Sequence, residues 1–285
     1  MYNKYVLQSR TKINFQPFLL KNFLQEILSL TKRLLLQSTR RPSHIIAGLI
    51  QPLLWLLLFG ALFKNIPLNF FDTSIEYHTF LSCGILVFTC FTGSLNAGLP
   101  LIFDREFGFL NRLLVVPIVS KNSILFATML FITSITMIQN LIILCCSLKS
   151  FTNILYTNKL YFLATISILI AIITSSISLS FAFILPGHIE FLAFILIINL
   201  PMLFTSTALA PLYFMPYWLQ ILAKINILTY AIEAIRFIIT NKTFNSTVIE
   251  TLGINFNLNH IVSLLCLVNL STILIIIRVI NKKLE

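Results

Sequence analysis

Long apolar runs alternate with short polar breaks along this chain. Six runs stand out, at about residues 43–63, 79–99, 124–148, 160–185, 191–210 and 260–280. Each reaches the roughly 20 apolar residues that a helix needs to cross a bilayer. Lipid offers no partner to an unpaired backbone group, so such runs are expected to be helices. The fifth run leads into a less regular apolar stretch that ends near residue 240. Pro52 and Pro201 fall inside runs, where neighbouring helices can re-satisfy the freed carbonyls. Ahead of the first run, residues 17–36 repeat Leu20, Leu24, Ile27, Leu28, Leu34 and Leu35 at helical spacing, with Lys21, Lys32 and Arg33 among them. That pattern predicts an amphipathic helix lying in the membrane interface. The expected fold class is therefore all-α: a polytopic membrane protein with six spans. Its expected divisions are a basic arm at 1–42, a membrane domain at 43–280 and a short tail at 281–285.

Composition sharpens the picture. Of 285 residues, 58% are hydrophobic and 10% charged, with a mean hydropathy of +0.93. Soluble domains carry roughly 25% charged residues, so this chain cannot coat a water-soluble surface, and a soluble enzyme is excluded. Six spans also leave no room for a separate catalytic domain. The formal charge of +11 would suggest nucleic acid in a soluble protein. In a membrane protein it marks the loops that stay on the side of synthesis, so the bilayer is the expected partner and nucleic acid is not. Residues 1–42 hold eight Lys/Arg and a single acid, Glu26. They read as mature chain, although a transit peptide is also basic and acid-poor. With both termini inside, the inner segments hold 14 of the 20 basic residues. Cys83, Cys90, Cys145, Cys146 and Cys266 sit in apolar stretches without metal-type spacing and read as small hydrophobes.

The segment between the second and third runs, Pro100 to Pro117, is the most informative. Phe103, Phe107, Leu110 and Leu114 recur at one helical face, and Asp104, Arg105, Glu106, Asn111 and Arg112 fill the rest. The acids lie toward its N-terminal end and Arg112 toward its C-terminal end, as the helix dipole prefers. Gly108 weakens such a helix by about 1 kcal/mol relative to Ala, which points to a partner approaching there. A docking helix and an ordinary interfacial helix both fit these residues. Farther on, Pro211, Pro216, Tyr213, Tyr217 and Trp218 suggest a broken helix at headgroup level. Glu233 and Arg236 share a face if 228–240 is helical, either as an intramembrane pair or as a solvated one. Thr89, Thr92, Ser94 and Asn96 in the second run, with Asn199, Thr205, Ser206 and Thr207 in the fifth, serve helix packing or a substrate path. His188 and Glu190 follow Pro186-Gly187 in a tight, solvated turn.

Three stretches together resemble the ABC type-2 transporter membrane subunits, the permease halves of drug, polysaccharide and lipid exporters. The run Arg105-Glu106-Phe107-Gly108-Phe109-Leu110-Asn111-Arg112-Leu113-Leu114-Val115-Val116-Pro117 is similar to their cytoplasmic segment. Gly48-Leu49-Ile50-Gln51-Pro52-Leu53-Leu54-Trp55-Leu56-Leu57-Leu58-Phe59-Gly60 resembles their first span. Residues 201–239, with Pro211, Leu212, Pro216, Trp218, Leu219, Asn226, Leu228, Thr229, Tyr230, Ala231, Glu233, Ala234 and Arg236, resemble their fifth span and the segment after it. Ile227 stands where members often carry Pro. The resemblance spans about residues 25–280 and extends to permeases encoded in algal plastid genomes.

The resemblance implies coupling to an ATPase subunit through Asp104, Arg105, Glu106, Phe107, Gly108, Phe109, Leu110 and Arg112. It implies a re-entrant outer gate that includes Pro211, Pro216, Trp218, Tyr230, Glu233 and Arg236. A substrate path would run between two copies of the chain, with Thr89, Thr92, Asn96, Asn199 and Thr205 as possible contacts. Localisation is expected in a plastid membrane with both termini on the stromal side, or else in a bacterial inner membrane. No glycine is followed by Lys, so this chain cannot cradle nucleotide phosphates by a P-loop, and ATP and Mg²⁺ are expected on the partner. No catalytic, cofactor or metal site is expected on this chain. A six-span assembly subunit of a haem pathway and an ATP-independent channel are the alternatives.

Overall fold

The computed structural model describes residues 20–40, 43–63, 77–115, 120, 122–147, 159–239, 249–251 and 254–284. Residues 1–19 of the basic arm and Glu285 of the tail lie outside the described residues. Helix α1 (Leu20–Arg40) precedes α2 (Ser43–Leu62). Helix α3 (Tyr77–Leu95) leads through a short joint into α4 (Gly98–Glu106) and then α5 (Phe109–Val115). Next come α6 (Asn122–Cys146), α7 (Lys159–Ile184) and α8 (His188–Phe204). A 3-10 turn at Leu212–Phe214 precedes α9 (Tyr217–Ile225) and α10 (Ile227–Ile239). Strands β1 (Ile249–Thr251) and β2 (Ile254–Phe256) form a small antiparallel hairpin with Ile249 opposite Phe256, and α11 (Leu258–Leu284) follows.

The expected all-α membrane architecture holds. The six apolar runs coincide with α2, α3, α6, α7, α8 and α11 to within a few residues at most of their ends. Among the described residues, four helices are long and apolar enough to cross a bilayer: Tyr77–Glu106, Asn122–Cys146, Lys159–Ile184 and Leu258–Lys282. Gly48–Leu62 and His188–Phe204 are shorter apolar helices. The hairpin is not anticipated, because three-residue strands are too short to display a period of two.

Helix α7 is the hub of the bundle and packs against α3, α4, α6, α10 and α11. Its sequence explains this position. Lipid tails are as apolar as leucine, so helices associate where small side chains let backbones approach. Ser167, Thr174, Ser175, Ser176, Ser178 and Ser180 of α7 are all buried. Most of their hydroxyls return to their own helix, as Ser176 Oγ does to Ile172 O at 2.7 Å and Ser180 Oγ to Ser176 O at 2.8 Å.

Ser178 is the exception, and it explains the joint between α3 and α4. Pro100 has no N–H, and its ring would clash with the carbonyl of Asn96 in a continuous helix. The chain therefore breaks at Leu95–Ala97, and Asn96 O accepts from Leu99 N instead, at 3.1 Å. Ser178 Oγ bridges the gap by donating to Leu95 O at 2.6 Å and accepting from Gly98 N at 3.0 Å. Each orphaned buried group costs about 1–3 kcal/mol. Ser178→Ala should thus lower the unfolding temperature in detergent measurably more than Ser176→Ala, which loses only an intrahelical bond. Equal midpoints for the two variants would refute this role.

Helix α1 is amphipathic as predicted, and its apolar side lies partly against protein. Ile27, Thr31 and Leu34 are buried along α6. Thr31 Oγ1 bonds to Ile27 O at 2.8 Å and reaches Ala127 O at 3.4 Å. Leu24 and Leu28 remain exposed beside Lys21 and Lys32.

Candidate functional site

The helical stretch Tyr77–Glu106 counts 30 residues across the joint at Leu95–Ala97, more than the roughly 20 that a crossing needs. Its charged residues cluster at the C-terminal end. Asp104, Arg105 and Glu106 occupy that end, and each grips a different helix. Asp104 Oδ2 accepts from Arg33 Nη2 of α1 at 2.7 Å, and the same guanidinium lies 4.4 Å from the Phe109 ring centroid. Arg105 reaches the C-terminal end of α7. Its Nη1 donates to Ala182 O at 2.9 Å, and its Nη2 to Leu185 O at 2.6 Å and Pro186 O at 2.7 Å. Glu106 receives the N-terminal end of α8. Oε1 accepts from the His188 backbone N–H at 2.7 Å, and Oε2 lies 2.7 Å from His188 Nδ1.

The expected single helix across this segment is not formed. It divides at Gly108, whose φ is +70°. A left-handed residue terminates α4, with Phe107 N bonding to Phe103 O at 2.9 Å and Gly108 N to Arg105 O at 3.2 Å. Nothing lies within 4 Å of a Cβ built on Gly108. The left-handed backbone is reason enough for glycine here, and no described group of this chain approaches it closely. The break also dissolves the predicted apolar face. Leu110 is 3% exposed and packs into the core formed by α4, α6 and α8, whereas Phe107 is 79% exposed. Phe103 stacks loosely on Phe107 at 6.1 Å, Phe109 is partly exposed, and Arg112 is exposed. Of the predicted coupling residues, Phe107, Phe109 and Arg112 face outward. Asp104, Arg105 and Glu106 bond internally.

The second group lies after α8. Pro211 and Pro216 are extended, at ψ 156° and 152°, and each immediately precedes a helical turn. Tyr217 and Trp218 are exposed on α9. Tyr230 OH donates to Lys224 O at 2.7 Å. At nine and thirteen residues, α9 and α10 are too short to cross a bilayer. Helix α10 is inserted among α3, α7 and α11. Arg236 is 5% exposed, so the solvated reading of its pair with Glu233 is set aside. Its Nη1 bonds Glu233 Oε1 at 2.5 Å, its Nη2 bonds Thr207 O at 2.5 Å and Phe80 O at 3.3 Å, and its guanidinium stacks 3.4 Å from the Phe80 ring centroid. Asn226 caps α10 through Oδ1 to Leu228 N at 2.9 Å, while its Nδ2 ties Met202 O and Thr205 Oγ1. Ile227 is then the first residue of α10, a position where proline is also favoured. The departure from the family's proline leaves this turn intact.

Most of the possible pathway residues have polar groups bonded within the chain. Thr89 is fully buried and bonds Ile85 O at 2.6 Å; Thr92 bonds Thr89 O, and Asn96 Nδ2 bonds Thr92 O. Thr205 bonds Pro201 O and Asn226. Asn199 is half-buried on α8, and its Oδ1 lacks a hydrogen-bond partner. Sequence reasoning passed over Ser178, gave Arg33 and Asn226 no such bonding role, and placed His188 in a solvated turn, where its side chain is 39% exposed while bonding Glu106. Only Asn226, an N-cap residue type placed just before an apolar helical run, carried a local signal. Among the described residues no group of three or more His, Cys, Asp or Glu could hold a metal ion.

This geometry can be set beside known proteins. The profile of the ABC-2 type transporter matches residues 25–240. A protein named "Putative transport permease ycf38" from Porphyra purpurea is 49% identical over 264 residues, covering 92% of this chain and 91% of that protein. Its namesake in Pyropia yezoensis is 47% identical over 266 residues, covering 93% and 91%. Another, in Cyanophora paradoxa, is 45% identical over 256 residues, covering 87% and 86%. With its apolar helix bundle, its charged helix end and these matches along nearly the whole length, the chain belongs to the ABC-2 type transporter family of membrane permeases.

Proposed function

We propose that this chain is the membrane subunit of an ATP-driven exporter in a plastid membrane. Six spans, α2, α3–α4, α6, α7, α8 and α11, form the domain at 43–280, with the arm at 1–42 and the tail at 281–285 on the stromal side. Two copies enclose the substrate path, and a separate subunit binds ATP and Mg²⁺; the chain itself is no enzyme. The observation that carries this reading is the aromatic knuckle at Phe107–Gly108–Phe109. Phe107 does not stand singly: Phe103, Phe109 and Val115 are exposed around it, an apolar patch of the kind that marks an interaction site. Large apolar side chains on α2 (Leu57, Leu58, Leu62) and α8 (Leu196, Ile197) are likewise open, which suits contact with lipid and with a second copy. The plastid assignment leans on the red-algal and Cyanophora relatives.

The test is co-purification. Phe107→Asp should abolish recovery of the ATPase subunit with tagged permease, since Phe107 supports little inside the chain, while the amount of membrane-inserted permease stays unchanged. Recovery of the ATPase at the native ratio would refute docking at the knuckle.

A further inference from the structure

Asp104, Arg105 and Glu106 resemble partner contacts in sequence, yet all three are occupied within the chain. We infer that they are positioning residues, a transmission that locks α1, the end of α7 and the start of α8 onto α4. Displacement of the Phe107 knuckle is thereby delivered to α8 without slack. This rests on the docking reading above and deepens it.

Three observations carry the inference. The first is the match of charge to field. A helix ends in unpaired carbonyls with partial negative charge and begins with unpaired N–H groups carrying partial positive charge. The turn Leu185–Gly187 brings one end of each kind together, and the Arg105–Glu106 dipeptide presents a cation to the first and an anion to the second. Arg105 alone covers three carbonyls, a geometry that a rigid guanidinium fork supplies and a point charge does not. The second is the sparse support of α8 elsewhere. Among the described elements it packs substantially only on α3 and α4, and much of its length is exposed through Leu192, Leu196, Ile197 and Leu200. Within the protomer α8 is thus held chiefly at its start, where its N-terminal turn is fastened to α4 by Glu106 and by fully buried Phe191. The third is adjacency. The clamp ends one residue before the open knuckle, so the side chain offered to a partner and those that grip α7 and α8 share one rigid turn of helix.

The experiment uses the full permease–ATPase complex in lipid nanodiscs. Cys145, Cys146 and Cys266 are replaced by serine, and spin labels are attached at Leu196→Cys on α8 and Leu270→Cys on α11, both exposed positions. Pulsed electron resonance reads their separation with and without a non-hydrolysable ATP analogue. With native charges the separation should shift when the analogue binds. In the Arg105→Ala, Glu106→Ala variant the shift should vanish while the ATPase still co-purifies at the native ratio. Glu106→Gln keeps an oxygen for the His188 N–H and should retain part of the shift, a rescue that also covers the case in which the double variant fails to fold. A full shift in the double variant, or in Glu106→Gln no shift at all in a protein of native stability, overturns the transmission. Loss of ATPase recovery in either variant at native stability also overturns it, because the charges would then be docking contacts. If the protein with native charges and bound ATPase shows no shift, the ATP-driven reading itself has failed, a separately recognisable result.

Discussion

Gly84→Val should leave little folded protein in detergent, and Gly84→Ala should already lower the unfolding temperature. A Cβ on Gly84 of α3 would sit 2.4 Å from Ala208 O and 2.6 Å from Ala208 Cα, inside any real contact distance. Backbone must retreat to admit it, and the backbone in question is tied down. Thr207 O is held by Arg236, Ala208 N by Ser206 Oγ at 3.3 Å, and Leu209 O by Tyr77 OH at 3.3 Å. Overpacking typically costs about 1–3 kcal/mol where neighbours can yield, so a site that cannot yield should exceed that range with valine. Thermal unfolding in micelles measures the effect, and a native midpoint for Gly84→Val would refute the close approach.

Glu233→Leu is the second large effect. It strips the charge partner from Arg236, which is buried and keeps only Thr207 O, Phe80 O and the Phe80 ring. Removing one member of a buried pair costs about 3–5 kcal/mol, because the remaining charge stays uncompensated. Glu233 retains some exposure, so the lower end of that range applies. Adding Arg236→Met should restore part of the loss, since an apolar pair of similar volume leaves no charge behind. A double-mutant cycle on unfolding midpoints checks both statements, and additive losses would show that the two residues do not act as a pair.

The apolar helices were legible because lipid imposes a simple demand. A run of apolar residues long enough to cross must be helical, so α2, α3, α6, α7, α8 and α11 follow from run length alone. The charged segment was legible as a place but not as a shape. Helical periodicity tied Phe103, Phe107, Leu110 and Leu114 to one face, and nothing in that pattern registers a left-handed residue at Gly108. Glycine in a helical window reads as a weak former when it can equally be a terminator. Pro100 misled in a related way, because it marks a break four residues upstream at Asn96 and not its own position. The bonds of Arg33, Arg105, Glu106 and Arg236 join residues 29 to 156 positions apart, with the Glu233 contact as the local exception. Pattern within a window cannot pair side chains over such separations. Thr89 and Thr92 were read first as helix packing and second as pathway; both are buried, and their hydroxyls bond to preceding carbonyls of α3 itself.

The central place of α7 bears on how the molecule is assembled. Helices α3 and α6 are synthesised before it, but α10 and α11, which wall its other sides, come from the last quarter of the chain. Until they are made, those sides of α7 have no protein neighbour from α10 or α11, and contacts such as Asn269 Nδ2 of α11 to Leu169 O at 3.1 Å cannot yet form.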